Sequence, residues 1–262
     1  MARSSTARIS LRYGILGWLL IAALTGTACR KRTPAPVGNV KKTTVVALRP
    51  LQAASESLEL DVGRAARTRV HVPIGAVAPT ATVVVLGGEG EGLEHECERW
   101  HELTFKRFFT LCQRRIAEDD GRNPKAAEAE LRAALRNLKR RFGEYVTAEG
   151  LVLIGVRSGA EDTAAMTRAS EGFFTRVALI DGGFESWSAV DSASFARKAN
   201  ARALLICSSE RCQLDATRVT ASLRASGADT RLIRPSELTV ANASEVRRSS
   251  LLWLTADARQ KR

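Results

Sequence analysis

The sequence predicts an α/β domain, a mostly parallel sheet with helices on both faces. Three observations predict it. Short apolar runs at 81–86 (A-T-V-V-V-L), 151–155 (L-V-L-I-G) and 203–207 (A-L-L-I-C) are too short for helices and read as fully buried strands. Stretches with helical spacing alternate with them, which implies crossover connections. The run at 151–155 passes through G-V-R-S-G at 155–159 into a helical stretch at 160–169, the layout of a sharp strand-to-helix turn. Right-handed crossovers leave few ways to arrange such elements.

The 262 residues are enough for one such domain preceded by a leader. Arg3, Arg8 and Arg12 form a basic opening, and residues 13–28 are almost wholly apolar. Gly26-Thr27-Ala28-Cys29 closes the run with small residues and a cysteine. This order reads as an export signal over 1–28. It resembles a bacterial lipoprotein signal, which implies lipid (palmitate) attachment at Cys29, although Gly26 stands where that pattern prefers leucine. Two plainer readings stand beside it: cleavage after Ala28 by the ordinary signal peptidase, or an uncleaved anchor. The apolar run is shorter than the ~20 residues that span a bilayer. The implied address is the cell envelope, membrane-anchored and facing the periplasm or the cell surface. Residues 29–42 carry Arg30, Lys31, Arg32, Lys41 and Lys42 around Pro34 and Pro36 and read as a solvated tether.

The domain is expected over 43–262. Residues 43–48, 58–62 and 69–73 read as strands in an antiparallel opening. The buried run 81–86 ends at Gly87-Gly88, a flexible loop follows, and 93–103 reads as a helix. Phe108 to Cys112 is the next strand. Asn123-Pro124 starts a helix with a capping side chain and a proline in its first turn. Leu131, Leu135, Leu138 and Phe142 share its apolar face, and Gly143 ends it. After 155–159 come a strand at 176–180, a helix at 188–199, the strand 203–207, a helix at 213–224, a strand at 230–233 and a helix at 244–256.

Four cysteines follow Cys29: Cys97, Cys112, Cys207 and Cys212. An even number in an exported chain suggests disulfides. Three pairings are possible, and the two local pairs, Cys97–Cys112 and Cys207–Cys212, are favoured over the others and over four free thiols. No C-x-x-C pair occurs, and His95 falls on a different helix face from Cys97 and His101, so no metal is expected. No cofactor motif is present and no cofactor is expected. The net charge is +12; without the leader's three arginines, 37 basic residues face 28 acidic ones, a net +9. Such a surface favours anionic neighbours, lipid headgroups or an envelope polymer, with a membrane as partner through the lipid anchor. Few aromatics, no recognition motif and the export signal argue against nucleic acid.

Over roughly residues 43–258 the chain resembles the α/β-hydrolase family, in its small, lidless esterase type. The carriers are the strand ending in Gly87-Gly88, the elbow-like Gly155-Val156-Arg157-Ser158-Gly159, the A-L-I-D-G-G run at 178–183 and the strand–helix pair around Cys207. The resemblance implies a nucleophile at the centre of the elbow, then an acid, then a histidine. Arg157 occupies the nucleophile position, and a guanidinium does not attack a carbonyl. Glu210 or Asp181 stands where the acid belongs, and no histidine follows His101. Gly87 and Gly88 match the oxyanion loop. These departures lead to the expectation of a catalytically inactive envelope lipoprotein, a pseudoenzyme holding an anionic small molecule near Arg157. Alternatively Arg157 pairs with Glu161 or Glu210, or points to water. The other functional reading is an active serine esterase using Ser158, which needs a slipped elbow and an imidazole from His95 or His101.

Overall fold

The computed structural model describes residues 47–61, 67–87, 92–114, 123–147, 151–170, 172–238 and 242–256. The chain divides into two units, Met1–Val45 and Val46–Arg262. The first lies outside the described residues, and with it the leader, Cys29, the basic tether and the start of the strand expected at 43–48. Gly88 and Val62 also lie outside them. Ala47 and Leu48 are not in a strand; the Leu48 N–H donates instead to the Val77 carbonyl at 2.9 Å.

The strands are β1 (Ser57–Asp61), β2 (Arg67–His71), β3 (Thr82–Gly87), β4 (Phe109–Arg114), β5 (Val152–Val156), β6 (Arg176–Ile180), β7 (Arg202–Ile206) and β8 (Asp229–Ile233). They form one sheet in the order β1-β2-β4-β3-β5-β6-β7-β8. β2 runs antiparallel to both β1 and β4, and every pair from β4 to β8 is parallel. The antiparallel opening therefore has two described strands, and it docks on β4 through Val70 opposite Leu111 and His71 opposite Thr110.

The helices are α1 (Leu93–Leu103), α2 (Pro124–Phe142), α3 (Ser158–Ala169), α4 (Ala189–Ala196), α5 (Glu210–Ala225) and α6 (Ala243–Thr255). The continuous apolar runs of β3, β5, β6 and β7 follow from burial on both faces. Val84, Leu153, Val177 and Leu205 point to one face and pack with Leu131 and Leu138 of α2, Ala160 and Ala164 of α3, and Val219 and Leu223 of α5. Val83, Val85, Ile154, Ala178 and Leu204 point to the other, against Cys97 and Trp100 of α1 and Leu251, Trp253 and Leu254 of α6. The period-two alternation of a strand thus feeds two separate cores.

Local chemistry sets the ends. Asn123 accepts from the Ala126 N–H at 3.1 Å, and Gly143 closes α2 at a φ of 54°. α4 is shorter than its pattern: Ser188 and Asp191 form a capping box at its start, and it ends at Ala196. α5 starts three residues early, at Glu210, because the Ser209 side chain accepts from the Cys212 N–H. α6 is tied down from below. Buried Arg176 and Arg202, at the starts of β6 and β7, donate to the carbonyls of Thr255 (3.0 Å) and Trp253 (2.8 Å) in its last turn. Those carbonyls lack partners within the helix, so two guanidiniums satisfy a terminus that is otherwise costly to bury. Disulfides join Cys97 of α1 to Cys112 of β4, with Cα atoms 5.9 Å apart, and Cys207 to Cys212 across the β7–α5 turn, with Cα atoms 5.6 Å apart. These are the two local pairs.

Candidate active site

The turn between β5 and α3 has one residue in a strained conformation. Arg157 lies at φ 53°, ψ −117°. A side chain with a Cβ meets steric opposition there, and such outliers persist only where the surroundings enforce them. The surroundings here are glycines. A Cβ on Gly159 would strike the carbonyl group of Leu86 in β3, and one on Gly155 would lie 2.5 Å from the Ala160 Cα. A Cβ on Gly182 would lie 2.7 Å from the Arg157 carbonyl oxygen. Backbones thus close around residue 157 from three strands. The turn is fixed by the Arg157 N–H donating to the Ile180 carbonyl at 2.8 Å and the Ala160 N–H donating to the Arg157 carbonyl at 3.0 Å. The glycines predicted to flank an elbow do flank one, and its apex is Arg157, with no slip toward Ser158. The helix begins at Ser158, two residues before the sequence expectation, because this single residue absorbs the whole reversal of the chain.

A second turn faces the first. Asp181, at the end of β6, also lies at positive φ, 54°. Its carboxylate accepts from the Ser208 N–H at 2.6 Å and from the Ser208 hydroxyl at 2.9 Å, which ties the end of β6 to the end of β7. Between the two turns opens a crevice of about 960 Å³ at the carboxyl ends of β5, β6 and β7. That is where open parallel sheets place their sites. Arg157 is exposed and Ser158 half-buried at its wall, both at the N-terminus of α3. Among the described residues the Arg157 guanidinium pairs with no acid, so pairing with Glu161 or Glu210 does not occur. Glu161 and Asp162 follow on α3, three and four residues after Ser158, where helix geometry brings side chains to one face.

Five carboxylates (Glu161, Asp162, Asp181, Glu185 and Asp215) and three guanidiniums (Arg157, Arg168 and Arg211) line the crevice. Its balance is acidic, not basic, although the whole chain is strongly positive. Arg168 is occupied, donating to the Ser186 hydroxyl at 3.0 Å. Asp181 is therefore the better placed of the two predicted acids. Glu210 starts α5, exposed, and is not part of the lining. Gly87 ends β3 against Leu93 and beside Gly159.

The histidines do not reach this crevice. His95 is exposed on α1. His101 is buried behind β4, its Nδ1 3.2 Å from the Thr110 hydroxyl, with its ring 5.0 Å from that of His71. An α1 imidazole serving Ser158 is thus excluded by the side of the sheet on which α1 packs. Sequence reasoning named Glu161 only as a partner for Arg157 and missed it as a base for Ser158, which the Ser158–Glu161 spacing makes findable.

No family model and no curated relative matches this chain. Solved structures do. An esterase from Pyrobaculum calidifontis is 14% identical, with a TM-score of 0.54 over 76% of this chain and 84% of its own. A dienelactone hydrolase from Anabaena variabilis is 14% identical, with a TM-score of 0.54 over 79% and 97%. A thermostable carboxylesterase cloned from a metagenomic library is 17% identical, with a TM-score of 0.54 over 78% and 90%. The chain has the α/β-hydrolase fold. The expectation of a catalytically inactive pseudoenzyme is corrected by this finding: the neighbours that share the fold are esterases and hydrolases. That expectation equated an arginine at the nucleophile position and a missing imidazole with missing catalysis. A carboxylate can also serve as general base, and this crevice holds several.

Proposed function

We propose that the protein hydrolyses esters in the crevice between residues 157 and 181. Ser158 supplies the attacking oxygen. The Ser158 hydroxyl adds to the acyl carbon and passes its proton to Glu161, one turn along α3. Arg157 and the N–H groups of Ser158 and Gly159 at the start of α3 face the oxygen on which negative charge develops. Collapse expels the alkoxide, which takes the proton back from Glu161, and water releases the acyl group by the same route. The acidic balance of the lining favours neutral or cationic esters over anionic ones. The observation that carries this reading is the strained Arg157 turn, which sets a hydroxyl, a guanidinium and a carboxylate on one helix N-terminus. The activities of the structural neighbours, esterase and dienelactone hydrolase, support it.

The test is turnover of short-chain aryl and alkyl esters by the purified chain, then by Ser158→Ala. Turnover lost in the variant supports the proposal. Absence of turnover across neutral and cationic esters sinks the hydrolase reading, and full turnover in Ser158→Ala sinks the role of Ser158.

We further propose that this chemistry occurs in the cell envelope, the protein being held to a membrane by lipid on Cys29. The basic–apolar–small–cysteine order of the leader supports this, as do two disulfides of the kind found in oxidising compartments. Cys29→Ser is expected to move the protein from the membrane to the soluble fraction; unchanged membrane retention would count against the lipid.

A further inference from the structure

On the opposite side of β3 from the crevice, three side chains that the hydrolase reading does not use converge. Cys97 comes from α1, Cys112 from β4 and His71 from the end of β2. The two sulfurs and a ring nitrogen of His71 lie within 4.8 Å of one another. Both cysteines are buried, and the His71 Nε2 is a buried atom without a hydrogen-bond partner. A polar atom left this way is costly unless some state of the protein satisfies it.

We infer that the Cys97–Cys112 pair is a redox-gated zinc site: the reduced chain binds one zinc ion through both thiolates and a ring nitrogen of His71. Two thiolates and an imidazole form the soft-to-borderline donor set that selects zinc, and three protein ligands leave a fourth position to water. Geometry makes the two states exclusive. A disulfide holds its sulfurs about 2 Å apart, whereas two thiolates sharing a tetrahedral zinc sit about 3.8 Å apart. The step balances. A dithiol reductant gives two electrons and two protons to the disulfide and becomes a disulfide itself; zinc then displaces the two thiol protons. Re-oxidation of the thiolates, with two electrons passing to a disulfide acceptor, expels the ion. Burial lowers the pKa of His71, which keeps its ring in the neutral form that ligates metals. This inference does not depend on the ester chemistry.

The test uses the full chain carrying Cys29→Ser, Cys207→Ser and Cys212→Ser, so that only the buried pair can report. Cobalt(II) stands in for zinc. After reduction, one cobalt per chain is expected to bind with thiolate-to-cobalt charge-transfer absorption, which zinc then removes; the oxidised chain shows none. His71→Ala is expected to weaken cobalt roughly tenfold or more while retaining its circular dichroism. Should that variant unfold, zinc-induced shifts of the His71 ring nitrogens in the reduced chain give the same information. A reduced chain without thiolate-to-cobalt absorption, equal cobalt affinity in a folded His71→Ala, or His71 nitrogens that zinc leaves unmoved each overturn the site.

Discussion

At the carboxyl ends of β5 and β6 the chain gathers a hydroxyl, carboxylates and guanidiniums without an imidazole. Where α1 meets β2 and β4 it packs two imidazoles, His101 buried and His71 half-buried, beside a disulfide and away from that crevice. The groups that the fold usually assembles at one place are here divided between two, with β3 between them. The division separates two contributions to a site. The elbow is a property of backbone packing: Gly155, Gly159 and Gly182 enforce it whichever residue stands at the apex. The chemistry is a property of the side chains that happen to project from it. A guanidinium at the apex therefore leaves the turn intact and changes only what the turn presents.

The largest expected effect lies at the crevice. Ser158→Ala should lower ester turnover by roughly a thousandfold or more, since loss of a nucleophile removes every step built on it. His101→Gln, in the other region, should leave turnover unchanged. A comparable loss from both substitutions would show that the two regions act together and are not divided in function.

Gly159→Ala is next. Alanine is favoured over glycine within a helix by about 1 kcal/mol, so an unhindered site would be stabilised. Here the added methyl meets the carbonyl of Leu86, a backbone group that cannot rotate away. The expected result is a loss of about 3 kcal/mol, read as a lower urea midpoint. A raised midpoint would mean that backbone closure does not hold the elbow.

Acid should act on the histidine region. Burial lowers the His101 pKa to about 4, with the neighbouring His71 and Lys106 acting in the same direction and Glu56 opposing. The unfolded chain takes up its proton near pH 6.5, so below that pH the unfolded state is favoured. Stability is complete above about 6.5 and falls as the pH drops toward 4, by up to about 3 kcal/mol from this residue. His71, also lowered by burial, adds a loss of the same sign. Urea midpoints at pH 7 and pH 5 should differ clearly in the parent chain and less in His101→Gln. Equal pH slopes would show that His101 titrates normally.

The sheet was legible because parallel strands buried on both faces are written as uninterrupted apolar runs; 176–180 in particular was bounded as the structure has it. The elbow was legible through its glycines, whose spacing reflects contacts that exclude a Cβ. The catalytic prospect of the crevice was not. A search for a histidine after the last strand finds nothing, and carboxylates on the first turn of a surface helix look like any solvated face. The location of His101 was not legible either. Spacing put it on α1, but only the packing of α1 against β4, on the face opposite α3, moved it out of reach of Ser158. The same holds for His71 and Cys112, distant in sequence and neighbours only because β2 pairs with β4.

The smallest effects distinguish the carboxylates within the crevice. Asp181 is occupied: both its oxygens accept from Ser208, and its work is to tie two strand ends together. Asp181→Asn keeps one acceptor oxygen for the Ser208 N–H, so about 1 kcal/mol of stability should be lost, with turnover within a few-fold of the parent. Glu161 makes no such bonds and stands one helical turn from Ser158. Glu161→Gln should cost roughly a hundredfold in turnover, the usual contribution of a general base, with no change in the urea midpoint. The pair of measurements assigns the base without reference to either residue's likeness to a triad. If Asp181→Asn proves the slower enzyme and Glu161→Gln the silent one, then the proton travels toward β6, and the helix-borne pair of Ser158 and Glu161 is not the reacting unit.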